Sequence, residues 1–287
     1  MTKFVKLKSK KQTSFLRLSK SRLNITWDQM AELLGISRSM MFLLLNETHK
    51  MRYDYFINLS KMCKLNPNTF SHKIIERSKF VTLPNDIKPK LAEFLGIFSG
   101  DGHMNDITYE VSITCDKKEI KYVENRVFYL FSQIFSIKPK LIFQENRIRC
   151  KTYSKRIVEY LSKKFGFPLG KKINKLRIPN SIINNNILLK NFLRGLFDTD
   201  GSFHRHHKND AAVEFITRSP KFKKDIYVAI NKLGFHPSEG SKSVFIYRKD
   251  EILKFFKLIK PKNPKTLLKY QIFLKEGKVP LDIEMRL

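Results

Sequence analysis

Apolar positions in residues 24–46, NITWDQMAELLGISRSMMFLLLN, fall into two short helical rhythms separated by a glycine. Trp27, Met30, Ala31 and Leu34 recur at i, i+3, i+4 and i+7, which lines one helix face. Thr26 and Gln29 have the spacing of a capping box, so a helix is predicted to start there. Gly35 suits the left-handed conformation that ends it. Ser37 can cap a second helix from Arg38 to Asn46, with Met40, Leu43 and Leu44 on its inner side. Tyr55, Phe56, Leu59, Met62 and Cys63 form the stripe of a further helix, closing a small all-α bundle. The rhythm then breaks. Residues 73–90, KIIERSKFVTLPNDIKPK, mix charges around Pro84 and Pro89. This predicts a first domain at 1–80 with a basic N-terminal arm, a linker at 81–90, and a second domain at 91–287.

The second domain repeats itself. LAEFLGIFSGDGH (Leu91–His103) lines up with KNFLRGLFDTDGS (Lys190–Ser202) at a fixed offset of 99. Gly96 matches Gly195, Phe98 matches Phe197, Asp101 matches Asp200 and Gly102 matches Gly201. Further on, ITCDKKEIKYV from Ile113 echoes ITRSPKFKKDIYV from Ile216, and KTYSKRIVEYL from Lys151 echoes FIYRKDEILKFF from Phe245. Each half, about 91–185 and 186–287, reads helix, β-hairpin, helix, second strand pair, helix. Two such halves in one chain predict an α+β monomer with an internal pseudo-twofold axis.

Charge changes the picture from fold to partner. The 287 residues hold 56 Lys+Arg against 26 Asp+Glu, a formal net charge of +30. Residues 1–90 carry 18 basic against 6 acidic side chains, and residues 171–287 carry 25 against 11. An excess concentrated in two places predicts more than one surface for a polyanion, nucleic acid first among them. The 24 Phe and an apolar fraction of 42% exclude disorder as the default. No window approaches 18 uncharged apolar residues, so no membrane partner is expected. The basic N-terminus leads into no apolar stretch of the secretory kind. Cys63, Cys115 and Cys150 have neither CxxC nor zinc spacing, which fits a reducing cytoplasm.

The helix before each Asp-Gly has two faces. Leu91, Phe94, Leu95 and Phe98 make one apolar stripe, and Leu189, Phe192, Leu193 and Leu196 make its equivalent. On another face Ala92, Gly96, Ser99 and Gly100 are small, as Asn191, Gly195 and Thr199 are in the second copy. Such a stripe lets two helices approach backbone to backbone. If the copies pack on each other there, Asp101 and Asp200 project from adjacent helix C-termini toward a common point. Carboxylates at the negative ends of two helix dipoles are electrostatically poor, and a divalent cation would relieve both.

LGIFSGDG and LRGLFDTDG, in this order and with these intervening elements, resemble the paired motifs of the LAGLIDADG endonucleases, across roughly residues 88–280. The resemblance implies two pseudo-symmetric αββαββα halves and a free-standing, site-specific double-strand DNA endonuclease with one active site per strand. It implies that Asp101 and Asp200 each bind Mg²⁺, with Mn²⁺ as substitute, and that the Gly100 and Thr199 carbonyls complete the ligand set. A basic residue after the third helix of each half is implied as well. Lys175 is the candidate in the first half, with Lys171, Lys172 and Arg177 as competitors. Lys262 is the candidate in the second, with Lys265 as its rival. Relatives that regulate transcription without cutting, or assist intron splicing as maturases on structured RNA, are the alternatives. With no terminal Cys or Ser nucleophile and no closing His-Asn pair, self-splicing is not expected.

DNA contacts are expected from both domains. Ala31, Gly35 and Ile36 resemble the helix-turn-helix of phage repressors, which implies base contacts for Arg38 and Ser39 and a phosphate contact for Gln29. In RIRCKTY, Arg147, Arg149 and Lys151 alternate with Ile148, Cys150 and Thr152, so the three cations share a strand face. In FHRHHK (Phe203–Lys208), His204 and His206 share a face without a third ligand. That segment, with Arg205, is read as a phosphate-contacting strand rather than a zinc site.

Overall fold

The structure, a computed structural model, describes residues 3–7, 10–70, 72–76, 81–170, 175–206 and 210–285. The chain divides into two compact units, residues 1–79 and 80–287. Among the described residues no helix is long and apolar enough to cross a membrane.

The first unit is built from β1 (Lys3–Leu7), α1 (Lys11–Leu23), α2 (Trp27–Leu33), α3 (Arg38–Leu45), α4 (Tyr53–Met62) and β2 (His72–Glu76). The capping box forms: Gln29 N donates to Thr26 Oγ1 at 3.2 Å, and Thr26 N to Gln29 Oε1 at 2.8 Å. Gly35 takes φ +62°, and Ser37 Oγ accepts from Met40 N to start α3. The buried side of α3 is Met41 and Leu44, however, and Leu43 is exposed. On α4, Phe56, Leu59 and Cys63 are buried while Met62 is exposed.

The unit is not all-α, which corrects the expectation. β1 pairs antiparallel with β2, from Lys3 opposite Glu76 to Leu7 opposite His72. The N-terminal arm is therefore folded, because Val5 and Leu7 alternate with lysines and find a core to enter. Val5 N also donates to Met51 O at 2.9 Å.

The expected linker at 81–90 is part of the second unit: Pro89 and Lys90 open its first helix, and the residues before them are bound to it. Val81 is buried in its core, Thr82 N donates to Phe135 O at 3.0 Å, and Tyr160 Oη donates to Pro84 O at 2.6 Å. A segment without helix or strand still has backbone groups to satisfy, and these are met by neighbouring elements.

The first half of this unit runs α5 (Pro89–Asp101), β3 (Gly102–Met104), β4 (Glu110–Asp116) and α6 (Ile120–Tyr122). A π-helical turn (Val123–Val127) then leads into α7 (Phe128–Phe135), followed by β5 (Lys140–Phe143), β6 (Arg147–Tyr153) and α8 (Lys155–Glu159). A short α9 (Asn180–Ile183) leads to the second half: α10 (Asn186–Asp200), β7 (Gly201–His206), β8 (Asp210–Ile216), α11 (Pro220–Lys232), β9 (Ser238–Glu239), β10 (Ser243–Ile246) and α12 (Lys249–Ile259), with α13 (Pro264–Glu276) added. Both sheets are antiparallel with the same strand order, β3-β4-β6-β5 and β7-β8-β10-β9. This is the two-half αββαββα architecture.

The ladders shift one echo by a residue. Gly102 pairs with Ile113 and Gly201 with Phe215, so Phe215, not Ile216, is the counterpart of Ile113. Burial agrees: Ile113 and Phe215 are inside, whereas Ile216 is exposed. A one-residue slip turns a strand side chain to the other face, and burial of the aromatic ring selects the register.

α5 and α10 pack backbone to backbone. A Cβ at Gly96 would stand 2.0 Å from Phe192 O, and one at Gly195 would stand 2.1 Å from Glu93 O. The flanking stripes face the two sheets, and their eight side chains named above are at most 1% exposed. Beside them lies a buried ionic network that has no signature in the sequence. Glu93, 1% exposed, receives a bidentate pair from Arg126 on the π-helical turn and a third bond from Arg194 Nη1 at 3.3 Å. Arg194 Nε also donates to Ile259 O at 2.7 Å, so this network ties the first half to the second.

Candidate active site

Because α5 and α10 touch at their glycines, they end side by side. Asp101 and Asp200 are the last residues of the two helices, and both are half-buried. A Cβ on Gly100 would lie 2.3 Å from Thr199 Oγ1 and 3.1 Å from Asp200 Cγ, so the end of one motif rests on the end of the other. The four predicted ligand residues, Gly100, Asp101, Thr199 and Asp200, are thus brought to one place. Among the described residues no three His, Cys, Asp or Glu side chains cluster as a metal site. A cation held here would take two carboxylates, with carbonyls and water making up the rest. That hard oxygen set fits Mg²⁺ or Mn²⁺ and not a soft metal.

Each acid has its own surroundings. Asp200 lines a cleft of about 360 Å³ with Ser99, Gly100, Leu176 and the turn from β8 into α11 (Ile216–Ser219). Leu176 directly follows the candidate Lys175, which is exposed. On the other side, burial pushes the Cys115 thiol up, and the nearby charges of Asp101 and Glu119 push it further. Glu119 is itself raised by burial, against a hydrogen bond from Asn263. Glu119 and Asn263 share a second cleft of about 380 Å³ with Tyr122 and Lys265. The loop bearing Lys262 thus adjoins the cleft of Glu119, and the residue after Lys175 lines the cleft of Asp200.

Of the competing basic residues, Lys171 and Lys172 lie outside the described residues. Arg177 donates through Nε and Nη2 to Asp225 at 2.7 and 2.8 Å, and Ile178 N joins the same carboxylate at 3.0 Å. That holds the loop. Lys265 pairs with Asp282 at 2.7 Å, and Lys262 is exposed.

Asp198 looks in the sequence like a bystander, opposite Ser99 of the first motif. It is 3% exposed, and its oxygens accept from Lys262 N at 2.9 and 3.0 Å and from Asn263 N at 3.0 Å. Burial pushes its carboxyl up to about 7, against the lowering effect of those N–H groups. Ser99 Oγ instead donates to Leu95 O within its own helix, at 2.8 Å. The signal available was the acid itself, at a position where its partner motif has none.

The β6 face alternates, with Ile148, Cys150 and Thr152 buried and Arg147, Arg149 and Lys151 turned outward. Arg149 and Lys151 meet Glu110 at 3.6 and 3.3 Å, an acid that strand periodicity does not place among them. The Arg205 guanidinium, read as a phosphate contact, donates to Val279 O and Glu284 Oε2, both at 3.0 Å, and so also holds the C-terminal segment. His204 sits 3.8 Å from Glu214. In the first unit Arg38 and Ser39 are exposed at the start of α3, with Arg38 paired to Asp28 at 3.1 Å. Gln29, read as a phosphate contact, has its Oε1 engaged in the capping box, and its amide nitrogen remains a donor.

Residues 188–260 match the family model of the LAGLIDADG-like domain. The match contains Gly195, Asp198, Thr199 and Asp200 and stops just short of Lys262. The chain is also 30% identical over 153 residues to the replication factor C small subunit of Methanocaldococcus jannaschii, a stretch that is 52% of this chain and 8% of that protein. It spans only 8% to 17% of the length of the curated relatives it matches. Among solved structures it is similar to mesophilic variants of the homing endonuclease I-DmoI, at 14% identity and TM-score 0.46, over 61% of this chain and 97% of that one. It is likewise similar to the meganuclease I-SmaMI bound to uncleavable DNA, at 14% identity and TM-score 0.43, over 66% and 89%.

Proposed function

We propose that the chain is a monomeric, site-specific, double-strand DNA endonuclease that hydrolyses one phosphodiester on each strand. The observation that carries this reading is the contact of the two LAGLIDADG-like motif ends, Gly100 against Thr199 and Asp200, with one carboxylate from each helix. When bound, a divalent cation, Mg²⁺ or Mn²⁺, activates water and neutralises charge on the scissile phosphate. Asp101 and Asp200 supply its anionic ligands, and the Gly100 and Thr199 carbonyls its neutral ones. Lys175 and Lys262 bring positive charge to the phosphate, one on each side of the pseudo-twofold axis. Arg147, Arg149 and Lys151 lie along the duplex, and Arg149 is suited to a bidentate contact with guanine. On binding, the phosphate charge replaces part of what Glu110 offers them. The test is cleavage of a randomised duplex library with Mg²⁺, Mn²⁺ or EDTA. Metal-dependent cuts at one defined sequence are expected. Tight sequence-specific binding with no nick on either strand would favour a regulator, and action on a folded RNA alone would favour a maturase.

The first unit is proposed as a separate DNA reader through Gln29, Arg38 and Ser39. Removing residues 1–79 takes away 16 Lys and Arg. Affinity should drop, and the slope of log K against log salt should flatten by about 0.9 for each phosphate that is no longer neutralised. The truncated chain keeps both acids and should still cut its site at higher protein concentration. Unchanged affinity and salt slope would mean that the first unit does not read DNA.

A further inference from the structure

The segment between α12 and α13 has neither helix nor strand, yet two of its backbone amides are held by one carboxylate. Lys262 N and Asn263 N both donate to the Asp198 carboxylate. The Asn263 side chain donates to Asp198 O at 3.0 Å and to Glu119 Oε1 at 2.6 Å, and its own oxygen accepts from Lys265 N at 3.1 Å to start α13. Asn263 is 4% exposed, so its bonds to Asp198 are largely shielded from solvent. Asp198 lies two residues before Asp200 on the same helix, which makes α10 a rigid mount for the backbone of Lys262. The loop of Lys175 has an equivalent from a different place. Asp225, on α11 of the other half, holds Arg177 and Ile178 N.

We infer that Asp198 is a positioning residue for Lys262, and that Asp225 is its counterpart for Lys175. The inference rests on the nuclease reading above and adds to it which buried carboxylate fixes which basic loop. A lysine side chain is long and flexible, so its contribution to catalysis depends on where its backbone is held. Displacement of about 1 Å at a reacting centre is enough to cost about a hundredfold. The two clamps differ chemically. The Asp198 clamp grips main-chain N–H groups alone, whereas the Asp225 clamp also needs a guanidinium. They are therefore separable by mutation.

Two measurements on the full chain test this. The first is amide hydrogen exchange of metal-free protein. The Lys262 and Asn263 amides are outside regular structure, so their protection reports the clamp. In Asp198→Asn, and in Asp198→Ser, which installs the side chain found at the equivalent position 99, they should exchange at least about tenfold faster while α5 amides are unchanged. Exchange at unprotected rates already in the unmodified protein overturns the clamp without any variant. The second is strand-resolved cleavage of a selected target. Asp198→Asn should slow one strand at least about tenfold relative to the other, and Asp225→Ala should slow the opposite strand. A merely structural role would slow both strands equally alongside a lower melting temperature, and that result overturns the inference. If the unmodified chain cuts no duplex, the nuclease reading and the strand bias both fall, and the exchange data alone then decide whether the clamp exists.

Discussion

Asp101→Asn and Asp200→Asn should each abolish double-strand cleavage, by about a thousandfold or more, while leaving DNA affinity nearly unchanged. Asparagine keeps the shape and one oxygen but removes the charge that would hold a divalent cation. Stability should move the other way. Each carboxylate sits at the C-terminus of a helix, where the dipole presents its negative end, and the two helix ends touch. Removing one negative charge should therefore leave the melting temperature unchanged or raise stability by about 0.3–1 kcal/mol. A variant that is catalytically dead and no less stable is the signature of a residue kept for chemistry. The readouts are supercoiled-plasmid cleavage, a filter-binding isotherm and a thermal melt on the same preparations. Full cleavage by either variant would remove that acid from the mechanism.

The helix pair was legible because its signal is local and doubled. Two stripes of large apolar residues, and two stripes of small ones at the motif's offset of 99, dictate two helices that meet at Gly96 and Gly195. The first unit's helices were legible for the same reason: Thr26, Gln29, Gly35 and Ser37 act within four residues of their partners. What escaped was non-local. β1 is only five residues long, and its partner strand is formed by residues 72–76, which no local periodicity can reveal. The clamps join residues 64 apart for Asp198 and Lys262 and 48 apart for Arg177 and Asp225. The bonds of Arg205 escaped for a related reason: only the fold shows that the C-terminal segment comes back to accept from its guanidinium.

Glu93 illustrates a subtler limit. In the sequence it interrupts an otherwise apolar run and would normally mark the solvent side of the helix. It is buried because Arg126 and Arg194 arrive from two different elements to neutralise it. Buried ionic groups contribute little net stability but are costly to leave unmatched. Only one side of the pseudo-twofold axis has this network, since Phe192 stands where Glu93 stands in the other copy. The pairing of α5 with α10 is thereby marked as different from the pairing of either helix with a copy of itself.

The small-residue contact carries the other large effect. Gly96→Leu or Gly195→Leu should destabilise the second unit by at least about 3 kcal/mol, the upper part of the range for overpacking. For a domain of this size that corresponds to roughly 6–12 °C in melting temperature. The first added atom is already impossible where it would fall. At Gly96 it would lie 2.0 Å from the Phe192 carbonyl oxygen and 2.9 Å from Leu196 N, and at Gly195 2.1 Å from Glu93 O. These are backbone atoms inside helices, so no rotamer change clears them and the helices must move apart. Gly96→Ala should therefore show much of the destabilisation, whereas at an ordinary helix position alanine would be the stabilising choice. Separation would also pull Gly100 away from Thr199 and Asp200, so cleavage should fall together with stability, unlike in the asparagine variants. Differential scanning calorimetry of the glycine and asparagine variants side by side resolves the two patterns. An unchanged melting temperature in Gly96→Leu would mean that α5 and α10 do not approach at this glycine.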